Sequence, residues 1–182
     1  MYKSLAAALV LAAGPVAAAG INIEVAGEAN GTIQIDLFED VAPGHVEQIT
    51  ALAAEGSYDG IVFHRVIEGF MAQTGDVQFG FMGGDMRMAG RGGSDRPDLK
   101  AEFSDLNFDR GVVGMARSQN PNSANSQFFI MFAPAPHLNG QYTIVGEVTE
   151  GMDVVDAIKR GAGRNGEVVG APDVMKKVTV TE

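Results

Sequence analysis

Phe63-His64-Arg65-Val66-Ile67-Glu68-Gly69-Phe70-Met71-Ala72-Gln73-Thr74-Gly75-Asp76 decides how this chain is read. An arginine, a Phe-Met pair and a glutamine fall close together, where the pattern passes from strand to turn and back to strand. A guanidinium is always charged and carries five donors in a fixed fork. Beside an apolar wall it can grip a polar backbone group while the wall holds a ring. The stretch therefore predicts two short strands, Ile61–Val66 and Phe70–Gln73, joined by a turn at Glu68-Gly69.

Similar β-type runs recur on both sides: Ile21–Ala26, Thr32–Leu37, Val112–Ala116, Gln127–Phe132, Thr143–Val148 and Val174–Val180. Asn30-Gly31, Asp59-Gly60 and Asn139-Gly140 supply turns. Ile33, Ile35 and Leu37 alternate with polar residues, as in a half-buried strand. Phe128-Phe129-Ile130-Met131-Phe132 is apolar at every position, so it should be buried on both faces. Two helices interrupt the strands. Pro43 to Glu55 has an apolar stripe of Val46, Ile49, Leu52 and Ala53, with Pro43 in the first turn and Gly56 as the stop. Gly151 to Arg160 carries Met152, Val155 and Ile158, with Lys159 and Arg160 suited to a helix C-terminus. The fold expected is mainly β: a closed eight-stranded antiparallel β-barrel capped by two α-helices. From Val77 to Glu102 a glycine-rich polar segment shows no period and reads as one long loop, of a length that is commonly functional or disordered.

At 182 residues the chain is one domain with enough core to need no staples, and it contains no cysteine, which excludes disulfides and thiolate chemistry. Lys3, the apolar run Leu5–Ala13, the Gly14-Pro15 break and Ala17-Ala18-Ala19 follow the order of a secretory signal peptide. Residues 1–19 are expected to be removed, leaving a domain over 20–182 and a periplasmic protein. The apolar run is too short to span a bilayer. The net charge is −10, and loss of Lys3, the only charged residue in 1–19, makes it −11. That balance argues against nucleic acid as a partner, and no membrane partner is expected once the signal is removed. Monomer is the default expectation.

Other motifs carry less. Gly161-Ala162-Gly163-Arg164-Asn165-Gly166 fits a dinucleotide fingerprint, but it follows a helix and opens none, so it reads as a flexible loop. His45, His64 and His137 lack metal-ligand spacing, and no metal is assigned. His45 is expected to face solvent. Ideal pleating sends His64 to the face opposite Arg65, where it is either a structural hydrogen-bonding histidine or a site residue. Gln73 and Gln127 sit in apolar sequence and need partners, since an unpaired buried amide costs about 1–3 kcal/mol.

Together, Phe63-His64-Arg65-Val66-Ile67, Gly69-Phe70-Met71-x-Gln73-x-Gly75-Asp76 and Ser126-Gln127-Phe128-Phe129-Ile130 resemble the signature of the cyclophilin family of peptidyl-prolyl isomerases. The similarity runs from about Ile23 to Val180, and the long loop, with Gly90-Arg91-Gly92-Gly93-Ser94, looks like the bacterial branch. The resemblance implies an enzyme without cofactor that turns X-Pro bonds in unfolded or extended proline-containing polypeptides. It implies Arg65, Gln73 and Phe70 as catalytic residues. His64, Met71, Ala116, Arg117, Gln127, Phe129, His137, Leu138 and Tyr142 would bind substrate, with Ala116 and Arg117 acting through the main chain. A peptide-binding chaperone or assembly module with little turnover is the alternative. The chain departs from the family at Glu68 (usually proline), Arg117 (often asparagine), His137 (often tryptophan) and Tyr142 (often histidine). Without the indole, cyclosporin binding should suffer more than turnover of small peptides.

Overall fold

The computed structural model describes residues 19–163 and 165–181. Apart from Ala19, the expected signal peptide lies outside the described residues. Nine strands form one antiparallel sheet: β1 (Gly20–Ala26), β2 (Gly31–Leu37), β3 (Ile61–Val62), β4 (Arg65–Ile67), β5 (Met71–Thr74), β6 (Val112–Met115), β7 (Phe128–Met131), β8 (Ile144–Glu150) and β9 (Val174–Thr181). Their order is β3-β9-β1-β2-β8-β6-β7-β5-β4. The two outermost strands, β3 and β4, are successive pieces of one run, so the curled sheet is joined end to end through the chain itself. The expected eight strands become nine because Ile61–Val66 is split at Phe63-His64. There the Phe63 N–H donates to the Asp173 carbonyl at 2.9 Å, while β4 turns to pair with β5.

Side chains alternate between two apolar clusters, and this alternation makes the site. On β7, Phe128 and Ile130 join the larger core inside the curl, whereas Phe129 and Met131 join a second cluster on the outer face. On β5, Ala72 faces in and Met71 out; on β6, Val113 and Met115 face in and Val112 out. The wholly apolar β7 run thus has the two buried faces its sequence requires.

Helix α1 (Pro43–Ala54) buries Val46, Ile49, Leu52 and Ala53 as its stripe predicts. His45 does not face solvent: it is fully buried, and its Nδ1 lies 2.5 Å from Glu102 Oε2. Glu102 also accepts the Gly44 and His45 N–H groups, both at 3.1 Å, satisfying first-turn donors that Ala42 cannot cap. Burial alone would raise the Glu102 pKa, but these hydrogen bonds outweigh it and hold the carboxyl below its ordinary value. Helix α2 is shorter than expected, Met152–Ala157, because Ile158 turns extended and the Lys159 N–H donates to the buried Asp173 carboxylate at 2.7 Å. Lys159 and Arg160 therefore lie beyond the helix and do not complement its dipole. A 3-10 turn, Pro136–Leu138, leads into β8. No helix among the described residues is long and apolar enough to cross a membrane.

Candidate functional site

Register assembles the site. Arg65 on β4 is opposite Gln73 on β5, Gln73 is opposite Phe129 on β7, and Phe129 is opposite Gly114 on β6. These four share one cross-strand row on the outer face. Only glycine fits at 114, because a Cβ there would come within 2.6 Å of both the Phe129 and Phe108 rings. Phe108, buried beneath, stacks on Phe129 with centroids 5.7 Å apart, and Tyr142 meets Phe129 edge-on at 5.9 Å. Above this floor lies a cavity of about 170 Å³ lined by Arg65, Phe70, Met71, Gln73, Ala116, Arg117, Phe129, Leu138 and Tyr142. Nine of the twelve residues singled out from sequence thus meet in one depression large enough for a small ring.

The guanidinium is held on two sides. Arg65 Nε donates to the Asn165 carbonyl at 2.9 Å, and Nη1 donates to Gln73 Oε1 at 3.1 Å. Both Nη2 N–H groups remain without a protein partner among the described residues. Partial burial lowers the Arg65 pKa from its ordinary value, with Tyr142 and Glu167 opposing that shift. The group stays charged at neutral pH. Both glutamines have the partners their burial demands. Gln73 Nε2 donates to Gln127 Oε1 at 2.9 Å, and Gln127 Nε2 donates to the Gly92 carbonyl at 2.8 Å. One directed chain of amides therefore links the long loop to the arginine.

Gln127 itself lines a neighbouring polar cavity of about 310 Å³, which shares Gln73, Ala116 and Arg117 with the first. The Ala116 N–H is not free for a ligand, because pairing with β7 runs one residue past β6 and it donates to the Gln127 carbonyl at 2.9 Å. The Arg117 guanidinium lies 4.2 Å over the Tyr142 ring and donates to the Gln141 and Ser118 carbonyls. His137 is exposed and stacks on Phe70 with centroids 5.7 Å apart, outside the lining of the smaller cavity. The Gly161–Gly166 segment, read as a flexible loop, is held at its two ends. Its Gly161 N–H and Gly166 carbonyl both hydrogen-bond Val66, which brings Asn165 to Arg65.

His64 is buried behind the row and does not line the cavity of about 170 Å³. Burial pushes its pKa down to about 4; the Asp76 carboxylate pulls the other way without reversing the shift. The imidazole is therefore neutral in the folded protein, while the unfolded chain takes up a proton below the ordinary value of 6.5. Stability is expected to fall by about 3 kcal/mol as pH drops from 6.5 to 4, and this loss levels off below 4. His64→Gln should remove that part of the pH dependence in urea-denaturation midpoints. A variant with the same slope as wild type would assign the pH dependence elsewhere.

Among the described residues no group of three or more histidines and carboxylates could hold a metal. The residues the sequence reading missed are Asn165, Phe108, Gly114 and Asp76. The first acts through a backbone carbonyl and the second through stacking from a distant loop, which leave no local signal. Asp76 was visible only as the last residue of the first motif.

The family model for cyclophilin type peptidyl-prolyl cis-trans isomerase matches residues 21–180. A probable peptidyl-prolyl cis-trans isomerase of Brucella suis is 59% identical over 153 residues, covering 83% of this chain and 78% of that protein. The Arabidopsis thaliana isomerase CYP18-1 is 39% identical over 156 residues, covering 82% and 90%. A crystal structure of a Cryptosporidium parvum cyclophilin type isomerase superposes with a TM-score of 0.76 at 26% identity, covering 91% of this chain and 99% of that one. That protein has also been solved in the presence of the dipeptide Ala-Pro. With its motifs, its curled antiparallel sheet and these relatives in agreement, the chain belongs to the cyclophilin family and is a peptidyl-prolyl cis-trans isomerase.

Proposed function

We propose that the Arg65 cavity is where this isomerase turns X-Pro bonds, and that its clients are exported proteins folding in the periplasm. The carrying observation is the fork of Arg65: two sides held at 2.9 and 3.1 Å, with Nη2 left without a partner among the described residues, beside a cavity of about 170 Å³ walled in part by Phe70, Met71, Phe129 and Leu138. Unaided rotation takes tens to hundreds of seconds because amide conjugation must be lost. Reaching about a millisecond means roughly 10⁴–10⁵-fold acceleration, or about 5–7 kcal/mol off the barrier. No bond is made or broken, so the chemistry requires only that the twisted amide be bound better than the planar one.

As the bond twists, the prolyl nitrogen gains a lone pair, and an Arg65 N–H donates to it. Phe70, Met71, Phe129 and Leu138 hold the ring. The Ala116 carbonyl and the Arg117 main chain hold the flanking strand, so one part rotates against a fixed one. Gln73 keeps the guanidinium in place before the substrate arrives, and a preorganised donor in a partly dry site is worth several kcal/mol.

The periplasmic setting rests on the order of features in residues 1–19. Expressing the full chain in a Gram-negative host and weighing the periplasmic product tests it. A mass corresponding to a chain starting at Gly20, with X-Pro isomerase activity in that fraction, is the expected result. Unprocessed protein confined to the cytoplasm would overturn the export reading and leave the isomerase assignment standing.

A further inference from the structure

The arginines of this chain divide into two sets. Among the described residues Arg87, Arg96, Arg110 and Arg160 pair with carboxylates, whereas Arg65, Arg91 and Arg117 pair with none. The three without a counter-charge are the three that line the cavities around the catalytic row. On a protein of net charge −10, carboxylates are in ample supply. Unmatched cations gathered at one place therefore mark where an incoming anion fits.

Arg91 and Arg117 meet in the lining of the polar cavity of about 310 Å³, which contains no carboxylate. Asp76 and Asp98 touch lining residues without lining the cavity, and both are engaged. Asp76 accepts the Gly90 and Gly92 N–H groups, and Asp98 accepts Asn125 Nδ2 at 3.0 Å. The hydroxyls in the lining are engaged too: Ser118 and Ser123 lie 2.7 Å apart, and Ser123 donates to the Asn120 carbonyl at 2.7 Å. That leaves the two guanidinium groups as the charged donors of the cavity.

The two are held differently. Arg117 is fixed beforehand by the Gln141 and Ser118 carbonyls and the Tyr142 ring, none of which cancels its charge. Arg91 is exposed, and its side chain makes no hydrogen bond among the described residues. A carboxylate between them would gain one preset partner and one that closes on it, each able to donate a charge-assisted hydrogen bond. The cavity of about 340 Å³ on the other side of Arg91 suits an anion less, because Glu167 lines it.

From this arrangement we infer that Arg91 and Arg117 are specificity residues, and that the polar cavity takes an acidic side chain of the substrate close to the proline. The cavity shares Gln73, Ala116 and Arg117 with the proline cavity, and an extended chain advances about 3.3 Å per residue, so the acidic residue lies one or two positions from the proline. The inference rests on the Arg65 cavity being the site of rotation.

The test places Glu or Gln singly at each of the two positions before and the two positions after proline in Gly-Ala-Ala-Ala-Pro-Ala-Ala-Gly. An exposed ion pair is worth up to about fivefold. With two cations acting on one carboxylate, wild-type kcat/KM is expected to favour Glu over Gln at least fivefold, on one side of the proline only. R91E should bring that ratio to one or below while leaving turnover of the Gln peptides within twofold, and R117N should at least halve it. Circular dichroism and the unfolding midpoint check that the variants are folded. A ratio near one at all four positions, equal ratios on both sides of the proline, or a ratio that survives either substitution overturns the shared site. If wild type turns over no peptide, the Arg65 reading fails separately. Fluorescence anisotropy of the labelled peptides then decides the cavity. A Glu peptide bound at least fivefold more tightly than its Gln counterpart by wild type, but not by R91E, supports it; equal Kd values overturn it.

Discussion

Arg65→Ala is expected to lower kcat/KM for an Ala-Pro peptide by about 10²–10³-fold, the usual cost of losing one preorganised donor to a transition state. The loss should fall on kcat rather than KM, because the planar ground state offers the prolyl nitrogen poorly as an acceptor. The fold should survive: Arg65 is partly exposed on the outer face, and its bonds to Asn165 and Gln73 link surface elements rather than core. Gln73 keeps its bond to Gln127 in the variant, so the cavity wall stays in place. Peptide affinity unchanged with turnover lost would separate the donor from the wall. Lost affinity with kcat unchanged would instead make Arg65 a ground-state clamp.

Asp76→Ala should produce the largest loss of stability. The carboxylate is fully buried and accepts four backbone N–H groups, from Gln78 at 3.1 Å, Phe79 at 2.9 Å, Gly90 at 2.7 Å and Gly92 at 3.1 Å. Removing it strands donors from the start and the middle of the long loop, at a cost on the order of 3 kcal/mol or more. For a domain of this size that lowers Tm by roughly 6–12 °C. Activity should fall too, since Gly92 holds Gln127, Gln127 holds Gln73, and Gln73 holds the arginine. Asp76→Asn should fall between, because an amide keeps one acceptor and turns a donor toward the remaining N–H groups. Thermal unfolding and peptide turnover of both variants check this. An Asp76→Ala protein as stable as wild type would mean that the loop is held by its other contacts.

Those other contacts explain why the Val77–Glu102 segment read only as a long loop. Ser94 bonds Asn125, Asn125 bonds Arg96 and Asp98, and Glu102 caps α1, each across many residues of sequence. Periodicity cannot report such links. The same limit misplaced His45, whose helix position looked solvent-facing until Glu102, 57 residues away, closed over it.

Where the information is local, the sequence was readable. The all-apolar β7 run announced two buried faces, and the spacing of Arg65 and Gln73 across one tight turn put them in register. The strands fell close to their observed bounds, apart from the break at Phe63-His64 imposed by Asp173 from the far end of the chain. The cavity wall came mostly from motif resemblance. Its supports, Phe108, Gly114 and the Asn165 carbonyl, emerge only from the folded geometry.

The central claim is that a fixed fork, and not merely a positive charge, turns the bond. Cis/trans exchange of an Ala-Pro peptide, followed by NMR with wild type and Arg65→Lys, tests it most directly. A lysine keeps the charge but not the two bonds that aim the guanidinium. The predicted result is fast exchange with wild type and at least tenfold slower exchange with the variant, at similar peptide affinity. Exchange with Arg65→Lys as fast as with wild type would contradict the account.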